Sequence, residues 1–178
     1  MMKRFLAPAL LLLTSCTSAA YLPAVAAPSW DTVPAGVVEA LCRRLHDDAI
    51  ATGVLGIVKT TQPLTSSQSL GALGHAAQKR GDATRAAEAM KSGTRVIPIS
   101  FGDESSCEWV QVAPAEARKQ SDQMTVEISA PIPNPFAPQE AGMFARVSLG
   151  GQMPAWYWIP LGSRNGAWAV GHIMPLVM

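Results

Sequence analysis

The stretch AWYWIPLGSRNGAWAVGHIM, residues 155–174, decides the fold, because it reads as two β-prone runs joined at the turn dipeptide Asn165-Gly166. Successive side chains of a strand alternate faces, so Tyr157, Ile159 and Leu161 point one way and Trp156 and Trp158 the other. In the second run, Trp168, Val170, His172 and Met174 fall on one face. Both faces of this hairpin are therefore apolar. One has helices to meet. The other must line a cavity, meet a partner, or form a core with the proline-rich loop Pro131–Pro138.

Upstream, Met143–Leu149 is a further β-prone run, and Gly150-Gly151 supplies its turn, so the three runs predict an antiparallel meander. Arg95–Phe101, Cys107–Val112 and Met124–Ala130 read as strands too, the first pushed to a sheet edge by Pro98, which lacks a ladder donor. Met124, Val126, Ile128 and Ala130 alternate with Thr125, Glu127 and Ser129, the pattern of a sheet with helices on one side. Before Arg95 the character is helical. Thr32 can cap a helix with Pro34 in its first turn; Val38, Leu41, Cys42, Leu45 and Ala49 then share a face until Gly53. Ser67–Arg80 and Asp82–Lys91 read as two more helices, stopped by Gly81 and Gly93; Val54–Thr60, apolar and β-branched, fits a strand or a helix continuation and is taken as a strand.

The reading is α+β: N-terminal helices packed on one face of a curled antiparallel sheet that ends in a three-stranded meander, all in a single domain over 27–178. This order of elements is similar to that of the nuclear-transport-factor-2-like α+β roll, the matching residues being Asn165-Gly166-Ala167-Trp168 and the aromatic strand before them. The resemblance implies a cavity between sheet and helix. It implies no activity, since folds of that type host both enzymes and binding proteins.

Residues 1–26 read as an export signal. Lys3 and Arg4 precede an apolar run, Phe5–Leu13, far short of the roughly 20 residues a membrane helix needs. Leu13-Thr14-Ser15-Cys16 resembles the bacterial lipobox, which would make Cys16 the lipidated mature N-terminus. Ala24-Val25-Ala26 offers ordinary signal-peptidase cleavage instead. Either way the expectation is an exported protein, in the periplasm or anchored to the outer membrane as a lipoprotein, touching a membrane only through a lipid on Cys16. The folded part retains Cys42 and Cys107. In an oxidising compartment they can form one disulfide; otherwise they are buried as small hydrophobes.

Charge excludes one class of partner. The chain has 14 basic and 13 acidic residues, and loss of Lys3 and Arg4 leaves 12 against 13 with no basic stripe, so no nucleic-acid partner is expected. No HExxH, GxSxG, phosphate-binding glycine loop or CxxC occurs, and hence no cofactor and no metal site is expected. His46, with Glu39 and Arg43 as helical neighbours, reads as part of a solvated helix face. His172 is a titratable group on an apolar strand face: a base or donor in a pocket, or a histidine satisfied by a backbone carbonyl. Arg146 either points into the same cavity or lies along the solvent side with its stem on Phe144.

The functional expectation is a non-catalytic cell-envelope domain that binds an unidentified protein or small molecule through Trp156, Trp158, Trp168, His172 and Arg146. The alternative is a cofactor-independent periplasmic enzyme with His172 in a sheet pocket and Arg146 or Glu127 orienting substrate. A third is a scaffold pairing through the edge near Pro98.

Overall fold

The computed structural model describes residues 30–50, 54–63, 83–102, 106–113, 124–148, 152–164 and 166–176; the leader with Cys16, the helix expected over Ser67–Arg80 and the Gly150-Gly151 turn lie outside them. Within them are helices α1 (Ala35–Asp47) and α2 (Ala83–Ser92). The strands are β1 (Leu55–Val58), β2 (Trp109–Val112), β3 (Thr125–Ile128), β4 (Ile132–Pro133), β5 (Glu140–Ser148), β6 (Ala155–Arg164), β7 (Ala167–Val170) and β8 (Met174–Leu176). They form one eight-stranded sheet in the order β2-β1-β3-β5-β6-β7, with β4 paired to β5 and β8 to β6. The fold is α+β and mostly sheet.

The sheet is mixed, not antiparallel throughout. β1 runs parallel to both β2 and β3, and all four of its residues are buried. That suits the unbroken apolar run LGIV, since parallel strands sit inside a sheet with both faces covered. The chain between Val58 and Trp109, which contains α2, is long enough for the crossover that parallel pairing requires. From β3 onward the pairing is antiparallel, and β5, β6 and β7 form the expected meander. Only Asn165 and Gly166 separate the paired residues Arg164 and Ala167, and Gly166 takes the positive φ of 80° that such a turn needs.

β7 and β8 lie along the same edge of β6, but not in one register. Leu161 faces Val170, whereas Trp158 faces Met174, so the second strand carries one extra residue between them. This is a β-bulge over Gly171-His172-Ile173; the ladder is kept at its start by Gly171 N–H donating to the Pro160 carbonyl at 2.8 Å. A one-residue slip turns every later side chain over. Trp168, Val170 and Ile173 therefore pack with one core and Leu176 with the other, correcting the expectation that Trp168, Val170, His172 and Met174 share a face.

The two cores lie on opposite sides of β5 and β6. The larger holds Val37, Val38, Leu41, Cys42 and Leu45 of α1 against Val126, Ile128, Met143, Tyr157, Ile159 and Leu161. The smaller holds Ala89 of α2, Ile132 of β4, Phe144 and Trp156, with Met90, Trp158 and Leu176 packed on it. The proline-rich segment thus supplies Ile132 to a second hydrophobic layer, one of the three arrangements open to the hairpin's second face. The two described helices belong to different cores, and Thr125, Glu127 and Ser129 are buried, so β3 is covered on both faces.

Local chemistry corrects two further expectations. α1 begins after Pro34, which makes no side-chain cap, and it stops at Asp48, not at Gly53. Ala49 adopts φ 55°; its N–H donates to His46 O at 2.9 Å, and that of Ile50 to Leu45 O at 2.9 Å. These bonds make a Schellman motif with alanine in the place usually held by glycine, and Ile50 packs on the core beside Leu45. Arg95–Phe101 is not a continuous strand. It makes single bridges, Ile99 to Val33 and Pro98 to Thr60, with Ile97 and Ile99 buried between them. The Pro98 carbonyl accepts from Val33 N–H at 2.9 Å.

Two substitutions test this packing. A Cβ at Gly142 would overlap the Trp158 ring, which lies directly over that glycine. Gly142→Ala should lower unfolding free energy by about 1–3 kcal/mol in urea denaturation. Ala49→Gly should raise it by about 0.5–1 kcal/mol, because glycine adopts the left-handed conformation without strain.

Candidate functional site

Register brings a mixed row of side chains across four strands. Glu127 of β3 faces Arg146 of β5, Arg146 faces Trp156 of β6, and Trp156 faces Leu176 of β8. Paired residues project to the same side of a sheet, so these side chains lie side by side. Arg146 donates from Nε to Glu127 Oε2 at 2.6 Å and from Nη2 to the same oxygen. Its guanidinium carbon stands 5.8 Å from the centroid of the Trp156 ring, a cation–π distance. The Glu127 side chain is only 6% exposed, whereas that of Arg146 is 31% exposed. The carboxylate is thus held out of water by its partner, and the guanidinium keeps an open edge. Beside this row, Phe144 and Trp158 pack with ring centroids 4.8 Å apart.

The five residues expected to bind a ligand do not converge. Arg146, Trp156 and Trp158 share the face of the smaller core; Trp168 packs on the larger core at the opposite face. His172 is exposed in the bulge between β7 and β8, outside any strand. An open concavity of about 740 Å³ lies between the 137–140 segment and the β6–β7 hairpin. Small side chains such as Ser163, Ala169 and Gly171 line it, and none of the five residues does. Phe136 is half-buried, its N–H donating to Asn134 Oδ1 at 3.0 Å.

Cys42 and Cys107 are joined in a disulfide with their Cα atoms 5.8 Å apart, which links α1 to the segment entering β2. Around it Glu39 forms the expected ion pair with Arg43 at 3.1 Å, and its carboxylate also accepts from the Ser106 amide at 3.0 Å and the Ser106 hydroxyl. His46 Nε2 lies 3.3 Å from the Ser106 carbonyl oxygen. His46 is therefore part of a cluster with the two cysteines and not only of a solvated face. The one available sequence signal was the i, i+4 spacing of Cys42 and His46. Cys107 is distant in sequence, and only folding brings it there.

Sequence reasoning also missed a polar tie at the C-terminal end of α1. Tyr157, 2% exposed, donates its hydroxyl to Asp48 Oδ2 at 3.0 Å, and Arg44 holds the other carboxylate oxygen at 2.8 Å. Burial first, then the hydrogen bond and negative charge of Asp48, push the Tyr157 hydroxyl up to about 12.

No protein-family model, curated protein or solved structure matches this chain.

The raised Tyr157 value favours the neutral phenol in the folded state. Its contribution is complete below pH 10, the value of an unperturbed tyrosine, and is lost as pH rises through about 12. Denaturation midpoints should therefore fall between pH 10 and 12 in the wild type and fall less in Tyr157→Phe, which should itself cost about 1 kcal/mol at neutral pH. Arg146→Ala strands a buried carboxylate and should cost about 2 kcal/mol. The double variant Glu127→Ala/Arg146→Ala should lose less than the two single losses together.

Proposed function

We infer that the chain is an exported cell-envelope protein whose folded domain binds a ligand or partner without catalysis, through the sheet face carrying Arg146, Trp156 and Trp158. The observation that carries this reading is the setting of Arg146. It is anchored by two bonds to one Glu127 oxygen and lies against Trp156, and its remaining N–H groups have no partner among the described residues. An arginine so positioned presents donors in a fixed orientation beside an aromatic ring face, which suits an acceptor or anionic group on an otherwise apolar ligand.

The export reading draws support from the Cys42–Cys107 disulfide, a bond that persists in oxidising compartments. It draws further support from the leader, with its choice between lipidation of Cys16 and cleavage after Ala26. Residues 27–178 are read as one domain. The enzyme alternative requires His172 in a pocket, and the exposure of that imidazole supplies no such setting.

Two measurements test the proposal. Intact mass of the protein purified separately from the membrane and soluble envelope fractions of its native host should show a mature N-terminus at Cys16 with acyl groups, or at Ala27 without them. An uncleaved chain in the cytosol overturns export. A photo-crosslinking residue at Ser148, on the same side of β5 as Arg146, should give adducts that are lost in Arg146→Ala; the same probe at Val96 should give none. Equal labelling at both positions, or labelling indifferent to Arg146, overturns the binding face.

A further inference from the structure

The Cys42–Cys107 bridge has a third soft donor beside it. His46 stands one helical turn beyond Cys42 on α1, and a ring nitrogen and the two sulfur atoms all lie within 4.8 Å of one another. Both cysteines are buried and His46 is exposed, so the cluster opens on one side to solvent. The backbone around it is also held by hydrogen bonds. Ser106 N–H donates to Glu39 Oε2 at 3.0 Å, its hydroxyl donates to Oε1, and its carbonyl lies 3.3 Å from His46 Nε2.

We propose that reduction of this bridge creates a binding site for a thiophilic divalent metal ion of the zinc class, ligated by Cys42, Cys107 and His46, so that the cysteine pair gates metal binding by its oxidation state. Tetrahedral zinc, about 2.3 Å from sulfur and about 2.0–2.1 Å from nitrogen, places its ligand atoms roughly 3.5–3.8 Å apart. The imidazole is already within about an ångström of that spacing. The sulfur atoms need to part by about 2 Å, which side-chain rotation supplies with the Cα atoms where they are, 5.8 Å apart. Ligands at i and i+4 on one helix face are a recurrent way of holding zinc. Metal ligation needs one ring nitrogen and leaves the other to donate to a backbone acceptor such as the Ser106 carbonyl, the arrangement in which a ligating histidine is oriented. Three protein ligands leave the fourth position to water on the exposed side.

The oxidised pair cannot do this, because the thiolate is the ligand and the disulfide has none. Opening the site takes two electrons and two protons. With a water-soluble phosphine, the S–S bond breaks, two thiols form, and the phosphine takes up the oxygen of a water molecule to become its oxide. Metal binding then releases the two thiol protons to solvent.

The experiment is anaerobic titration of cobalt(II) into the full chain, untreated and reduced with phosphine, read by thiolate-to-cobalt charge-transfer and tetrahedral d–d absorption, followed by displacement with zinc. The reduced protein should bind one equivalent and the oxidised protein none. His46→Ala should weaken binding at least tenfold, His172→Ala should leave it unchanged, and Cys42→Ser/Cys107→Ser should abolish it. Zinc should raise the melting temperature of the reduced wild type only. Absence of cobalt binding on reduction, equal binding by the oxidised chain, or full affinity in His46→Ala overturns the proposal. So does a reduced chain that unfolds and that zinc fails to restore by circular dichroism.

Discussion

The structure depends on the antiparallel ladder between β5 and β6, in which eight successive pairs run from Glu140 opposite Gly162 to Val147 opposite Ala155. A ladder fixes which side chains meet, and here both faces of the pair are apolar. Met143, Ala145, Tyr157 and Ile159 project to the α1 side and Phe144, Trp156 and Trp158 to the α2 side. Slipping this pair by one residue would exchange the two sets and unmake both cores together. Trp158 over Gly142 reinforces the register, since a Cβ at that position would overlap the indole.

Helix α1 is fastened to the sheet at two points by chemistry its apolar face does not supply. Near its middle the Cys42–Cys107 bridge, with Glu39 on Ser106, ties it to the entry of β2. A closed loop with a separation of 65 residues restricts the unfolded chain by about 4 kcal/mol on the chain-entropy account. At the C-terminal end the Tyr157–Asp48–Arg44 network joins it to β6. β2 and β6 are four strands apart in the sheet order, so one helix is tied to two separated parts of the sheet.

Legibility differed sharply between elements. The meander, β1 and α2 were readable because each has a local signature: Asn165-Gly166 for the turn, LGIV for a buried strand, Gly93 for the helix stop. The bulge was not, because an inserted residue leaves the composition of Ala167–Met174 strand-like while reversing every face beyond it, which is how His172 came to be grouped with Trp168. Glu127 likewise read as a solvent-facing residue of a one-sided sheet. Its burial follows from the pairing with Arg146. The helix end at Ala49 was hidden because alanine carries no local preference for the left-handed conformation.

By itself the sequence determined the α+β class, the three-stranded meander and the two-sided apolar hairpin, because alternation and turn chemistry act over a few residues. The tertiary structure alone decided that β1 pairs in parallel, that Cys42 meets Cys107, and that Arg146 is joined to Glu127 and not to His172. Those outcomes are contacts between residues far apart in the chain. Local pattern carries no information on which distant partner closes the loop, and only the packing of both cores around one ladder selects it.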